Sequence, residues 1–237
     1  MQERSTRQLS IGAAGMRGMV GPGLTPGAAC DFAAAFASMM EEDAPVLVGC
    51  DPRTSSEMLR CAVISSLAGC GCRVVDGGIL TAGMMHFLVP RFGFGGGMLI
   101  TGGHQAAGWN ALIPLAADGS YFDGLRQREL FDLYHGRRFR AAAASGVHPF
   151  EPLGPEMLET YWNYLAETLD SSAIAAAELR RGACPDVCRT VGAGSGFGER
   201  RALRRIAAGS GTAAAERVAD SFDHCAAGGG GGAGIQQ

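Results

Sequence analysis

The strongest constraint on this chain is a rhythm in its first 135 residues, where short aliphatic runs alternate with stretches of helical spacing. The runs fall at residues 46–50, 72–76, 97–101 and 111–115. Pro45 precedes the first and Asp51-Pro52 closes it, the pattern of a strand buried on both faces. Between the runs lie helical segments. Thr25-Pro26 opens one that carries Phe32, Phe36, Met39 and Met40, with Thr25 as N-cap and proline in the first turn. Thr54 or Ser55 caps a second, with Met58, Leu59, Ala62, Val63 and Leu67 toward one face and Gly69 and Gly71 ending it. Thr81 starts a third that stops around Pro90, and Asp123 a fourth that stops near His135-Gly136. Strand-helix repeats of this length predict an α/β domain of three layers, α/β/α, built on a mostly parallel mixed sheet.

Beyond residue 136 the rhythm changes. An Arg- and Ala-rich connector leads to a helix from Pro155-Glu156 bearing Leu158, Tyr161, Trp162, Leu165 and Leu169. The expected organisation is a domain at 1–136, a connector and linking helix at 137–181, and an incomplete or disordered remnant at 182–237. That last stretch lacks an apolar period and contains the glycine run 228–232.

The 237 residues carry a net charge of -3, which removes an electrostatic case for nucleic acid. All 20 basic residues are arginine, so lysine chemistry is absent. No run nears the ~18 apolar residues of a membrane span, and residues 1–10 form no secretory h-region, so a cytoplasmic protein without membrane contact is expected. The eight cysteines fall at 30, 50, 61, 70, 72, 184, 188 and 225. Neither Cys70-Gly-Cys72 nor Cys184-Pro-Asp-Val-Cys188 is a CxxC zinc half-site, so reduced thiols and no metal are expected. Val191-Gly192-Ala193-Gly194-Ser195-Gly196-Phe197-Gly198 fails as a dinucleotide loop because Phe197 occupies the third glycine position. His135 and His148 are expected in solvent-exposed loops, and Arg53 as a structural partner of Asp51 or of a helix end.

The chemically richest stretch is Gly96-Gly97-Met98-Leu99-Ile100-Thr101-Gly102-Gly103-His104-Gln105-Ala106-Ala107-Gly108-Trp109-Asn110. A buried strand runs into Thr-Gly-Gly-His at its carboxyl end, where open α/β sheets place ligands. Paired glycines let backbone N–H groups approach an anion, although a plain tight turn is equally compatible with the pattern.

Four blocks in order carry a resemblance. Ile11-Gly12-Ala13-Ala14-Gly15-Met16-Arg17-Gly18 is similar to G-[TS]-[DS]-G-[IF]-R-G, and Val48-Gly49-Cys50-Asp51-Pro52-Arg53-Thr54-Ser55-Ser56 to V-G-x-D-x-R-x-S-S. Val75-Asp76-Gly77-Gly78-Ile79-Leu80-Thr81 matches a V-x-D-x-G-x-x-x-T stretch, and the Gly96 segment G-G-x-x-I-T-[AG]-S-H-N-P-x-x-[YW]-N-G. Together they resemble domain I of the α-D-phosphohexomutase superfamily, which includes phosphoglucomutase, phosphomannomutase and phosphoglucosamine mutase. The resemblance implies phosphoryl transfer between C1 and C6 of a hexose through a phosphoserine and Mg²⁺. It also exposes departures. Gly103 stands at the phosphoserine position, Ile113 at that of the acid/base lysine, and Gln105-Ala106 replaces Asn-Pro.

No D-x-D-x-D-R metal loop is found in this sequence, so no cofactor is expected for the chain itself. Arg17, Thr101, Gly102, Gly103, His104 and Asn110 are the candidate phosphate-binding residues. An arginine facing an anion is worth about 1–3 kcal/mol, far below the ~8–23 kcal/mol of enzymatic rate enhancement. The expectation is a catalytically inactive relative that binds a hexose phosphate. Its competitors are a truncated gene product or scaffold, and an enzyme completed by another chain. Self-association through an exposed apolar face of domain I is a further expectation.

Overall fold

A computed structural model describes residues 9–12 and 15–170. The chain divides into two compact units, the first ending at Leu153 and the second starting at Gly154.

The first unit is built on a seven-stranded sheet. Its strands are β1 (Leu9–Gly12), β2 (Gly15–Met19), β3 (Pro45–Cys50), β4 (Arg73–Ile79), β5 (Gly96–Ile100), β6 (Trp109–Ala116) and β7 (Glu151–Pro152), in the spatial order β1-β2-β6-β5-β3-β4-β7. The helices of this unit are α1 (Pro26–Met39), α2 (Thr54–Gly69), α3 (Ala82–Arg91) and α4 (Gly124–Gly136). The α/β architecture expected from the rhythm is present.

Pairing is parallel from β5 through β3 and β4 to β7, and antiparallel from β5 through β6 and β2 to β1. Parallel pairing therefore covers only half the sheet. Eight residues separate β5 from β6, too few for a crossover helix, so the chain must return antiparallel. The β1–β2 hairpin has no strong β-formers in Gly15-Met16-Arg17-Gly18, which is why the sequence pattern does not reveal it.

Alternation along the strands sorts the core. Val46, Val48, Met98, Ile100 and Leu112 join residues of α1, α2 and α4, among them Phe32, Phe36, Leu59, Leu67 and Leu130, in one buried cluster. On the other face Gly97 lies beneath Val89 and Met85 of α3. Thr25 Oγ1 accepts from the Ala28 amide at 3.1 Å and Asp123 from the amides of Leu125 and Arg126, so both of those expected caps form. The α2 cap differs from expectation. The N-cap position is Arg53, without a side-chain cap bond, because a guanidinium has no atom that can accept from a helix amide.

Residues 137–153, read from sequence as connector, pack onto this unit. Arg140 donates to the carbonyls of Cys70 and Met40, and β7 adds to the edge of β4. Each histidine departs from the expectation in one respect, for His135 is exposed but helical and His148 lies in a loop but is partnered. His135 lies in the last turn of α4, edge-on to Tyr134, and His148 pairs with Asp43 at 2.7 Å. In the second unit, α5 (Pro155–Thr168) carries Tyr161 and Trp162 in an edge-to-face pair. The expectations for residues 182–237, including the 192–198 loop and three cysteines, lie outside the described residues.

Candidate functional site

At the carboxyl end of β3 the chain passes through Asp51-Pro52-Arg53 into α2, and at the adjacent end of β5 it enters the loop 101–108. Asp51 joins the two. Its Oδ2 accepts from the Gly102 amide at 2.8 Å and Thr101 Oγ1 at 3.1 Å, and pairs with Arg53 Nε at 3.2 Å. Its Oδ1 accepts from the Arg53 amide and from Ser56 Oγ. Five donors thus meet one carboxylate, about the full capacity of its lone pairs.

Arg53 then gathers the loop. Nη1 donates to the carbonyls of Ala106 (2.9 Å) and Trp109 (3.2 Å), and Nη2 to those of Gly103 (3.1 Å) and Gln105 (2.9 Å). With Nε paired to Asp51, every guanidinium nitrogen has a partner. Gly102 makes this fit possible, because a Cβ there would lie 2.3 Å from the guanidinium carbon. Asp51, Ser55 and Ser56 are parts of the site that the sequence reading did not propose as ligand-loop residues. The signal was present in D-x-R-x-S-S at a strand's carboxyl end.

The structure separates the candidate residues by what their polar groups already do. Asn110 is fully buried; Nδ2 donates to Ser55 and Ser56, and Oδ1 accepts from the Ala111 amide. It therefore serves as a structural link beneath the loop and is not presented to a ligand. The amides of Gly102 and Gly103 are also committed, to Asp51 and to Thr101 Oγ1, so the glycines do not offer the anion nest expected of them. Thr101 Oγ1 is engaged on both sides, as donor to Asp51 and acceptor from Gly103.

Gly103 itself is exposed with φ +53°, and nothing lies within 4 Å of where a Cβ would be. His104 is exposed, and its side chain has no hydrogen-bond or ion-pair partner among the described residues. Arg17 is half-buried on β2, opposite Ala111 of β6, whose carbonyl accepts from the Thr101 amide at 3.0 Å. Arg17 and Thr101 thus flank Ala111 on one sheet row, roughly 10 Å apart at two strand spacings. Ile113 is buried opposite Leu99 within the sheet.

Two further groups bear on chemistry. Burial pushes the Cys50 thiol up to about 11, with Arg60 opposing the rise and Asp51, Asp76 and Glu57 adding to it, so no thiolate stands ready here. Asp76 is occupied by Arg60 and by the Gly78 amide. Among the described residues no three His, Cys, Asp or Glu side chains assemble as a metal site, and both site carboxylates are already filled by hydrogen-bond donors. The Mg²⁺ that the resemblance implies does not fit this donor set. No described helix is long and apolar enough to cross a membrane.

The fold and the loop together define an α/β domain with an irregular loop, tied down by Asp51 and Arg53, at the carboxyl ends of its central strands. Residues 8–140 match the family model for phosphoglucomutase/phosphomannomutase, alpha/beta/alpha domain I, and the chain belongs to that family. A phosphoglucomutase/phosphomannomutase of Thermococcus kodakarensis is 30% identical over 69% of this chain and 36% of its own length. A phosphoglucosamine/phosphogalactosamine mutase of Sulfurisphaera tokodaii is 28% identical over 69% of this chain and 36% of its own. Among solved structures, a protein of Thermus thermophilus provisionally assigned as a phosphomannomutase superposes with a TM-score of 0.60 at 22% identity, covering 71% of this chain and 38% of that one. The last likeness speaks for the fold. The chain spans a little over a third of the length of these relatives.

Proposed function

We propose that this protein is a phosphohexomutase-fold module that holds a hexose phosphate at the loop 101–108 without transferring its phosphoryl group. The observation that carries the reading is position 103. The loop is held by Asp51 and Arg53, yet the residue at the phosphoserine position of the resemblance is a glycine with open space where a side chain would stand. Phosphoryl transfer through an enzyme ester needs an oxygen nucleophile at that point. The nearby hydroxyl of Thr101 is held between Asp51 and the Gly103 amide, and Ile113 can neither donate nor accept a proton. Arg17 and His104 remain as side chains available to an anion, and they support binding in place of turnover. The proposal includes the cytoplasmic setting expected from the sequence.

Calorimetric titration with glucose 1,6-bisphosphate tests it, with wild type beside Gly103→Ser and a phosphate-transfer assay on both. The expected result is binding by both proteins and no transfer by wild type. Transfer by wild type would overturn the inactive reading. Absence of binding by both at millimolar ligand would overturn the binding reading. A second reading, a scaffold without sugar-phosphate affinity, is favoured by one observation: the Gly102 and Gly103 amides are satisfied within the loop.

A further inference from the structure

The geometry points to Arg53 as a positioning residue that turns the loop's backbone amides toward the ligand, an inference that rests on the proposed hexose-phosphate site. In a trans peptide the carbonyl of one residue and the N–H of the next point in opposite directions. Arg53 draws the carbonyls of Gly103, Gln105 and Ala106 to itself. The amides of His104, Ala106 and Ala107 must then face away from it, and among the described residues they have no hydrogen-bond partner. The anion-facing donors are thus the amides after the glycines. The guanidinium is saturated and touches no ligand itself.

A separate observation supports the assignment. Gly102 is buried and its missing Cβ is the space that the guanidinium fills, with a Cβ there 2.3 Å from the central carbon. Its φ lies outside the left-handed range, so alanine is conformationally allowed while colliding with Arg53. This separates position from charge. Gly102→Ala keeps every charge and displaces the arginine, and Arg53→Lys keeps the charge without the fork.

The experiment combines two readouts on wild type, Arg53→Ala, Arg53→Lys and Gly102→Ala, with Arg137→Ala as the control. Arg137 is an exposed arginine paired with Asp31 on α1. The readouts are amide hydrogen exchange across the chain and calorimetric affinity for glucose 1,6-bisphosphate. The expected result is faster exchange at Gln105 and Trp109, whose amides close turns within the loop, by about tenfold or more in all three loop variants. Core amides such as those of Val48 and Met98 stay protected, which shows that the fold persists. Affinity falls by about tenfold or more in the same three proteins and is unchanged in Arg137→Ala.

Full affinity in Arg53→Lys or Gly102→Ala would overturn the positioning role and leave a charge effect. Unchanged exchange in Arg53→Ala would overturn it as well. If wild type fails to bind the bisphosphate, the functional reading falls, and the exchange data still decide whether Arg53 orders the loop.

Discussion

Two arginines hold this domain together at different places, and they do opposite things with similar chemistry. Arg140, on the segment after α4, donates to the carbonyls of Met40 and Cys70, the C-cap residues of α1 and α2, and reaches Cys72 Sγ at 3.6 Å. Its amide donates to Ser38 Oγ. A cation there meets the negative ends of two helices and satisfies carbonyls that helices leave open. Arg53, although it stands at the N-cap of α2, sends its guanidinium to no helix-end carbonyl. It collects carbonyls of an irregular loop, balanced by the Asp51 carboxylate, and so fixes a stretch of backbone that would otherwise lack a regular hydrogen-bonding partner. The first arrangement stabilises elements that already exist. The second creates a shape that exists only while the arginine is there.

The comparison predicts unequal consequences. Removing the carboxylate with Asp51→Ala leaves Arg53 unpaired together with the Thr101 and Gly102 donors. It should cost the most, about 3 kcal/mol in urea unfolding, at the low end for a broken pair because both side chains keep some exposure. Arg140→Ala should cost about 2 kcal/mol by loss of charge-assisted bonds to the helix ends, with bisphosphate affinity unchanged. A loss of affinity in that variant would show that the two arginines are coupled, which would break the comparison. Thr25→Ala, which removes a cap remote from both, should cost about 1 kcal/mol and set the scale for a single local hydrogen bond.

The smallest effect concerns pH. Cys50 near the Asp51 end and Cys70 and Cys72 beside Arg140 all have thiols raised by burial, and Arg140 pulls the last two partly back. Above pH 9 the unfolded chain releases thiol protons that the folded chain keeps, so stability is full below pH 9 and falls as pH rises toward 11. A Cys50→Ala variant should flatten this decline measurably in pH-dependent unfolding. An unchanged slope would assign the decline to the other groups that burial raises, Cys30, Cys70, Cys72 and Tyr134.

Much of this was legible in the sequence. The runs at 46–50 and 97–101 name strands β3 and β5, because strands buried on both faces need continuous apolar residues. Thr25 and Asp123 name helix starts, because capping is local chemistry. The ordered blocks around Arg17, Asp51, Asp76 and Thr101 identify the family without any coordinates, as the domain I match confirms. What stayed hidden is long-range. Gly102-Gly103 reads as an anion nest until the Asp51 carboxylate, 51 residues earlier, is seen to take the Gly102 amide. Asn110 reads as a ligand residue until Ser55 and Ser56 meet it in the interior. The β1–β2 hairpin depends on pairing with β6 and not on its own residues. Each of these is fixed by a partner far along the chain, and local pattern carries no information about it.

The most direct test of the account is nuclear magnetic resonance of the backbone amides while glucose 1,6-bisphosphate is added to the wild-type protein. The account predicts saturable shifts largest at His104, Ala106 and Ala107, with Arg17 responding and the residues around Arg140 (Met40, Cys70 and Cys72) silent. Absence of shifts in the loop at millimolar ligand, or shifts concentrated elsewhere, would contradict it.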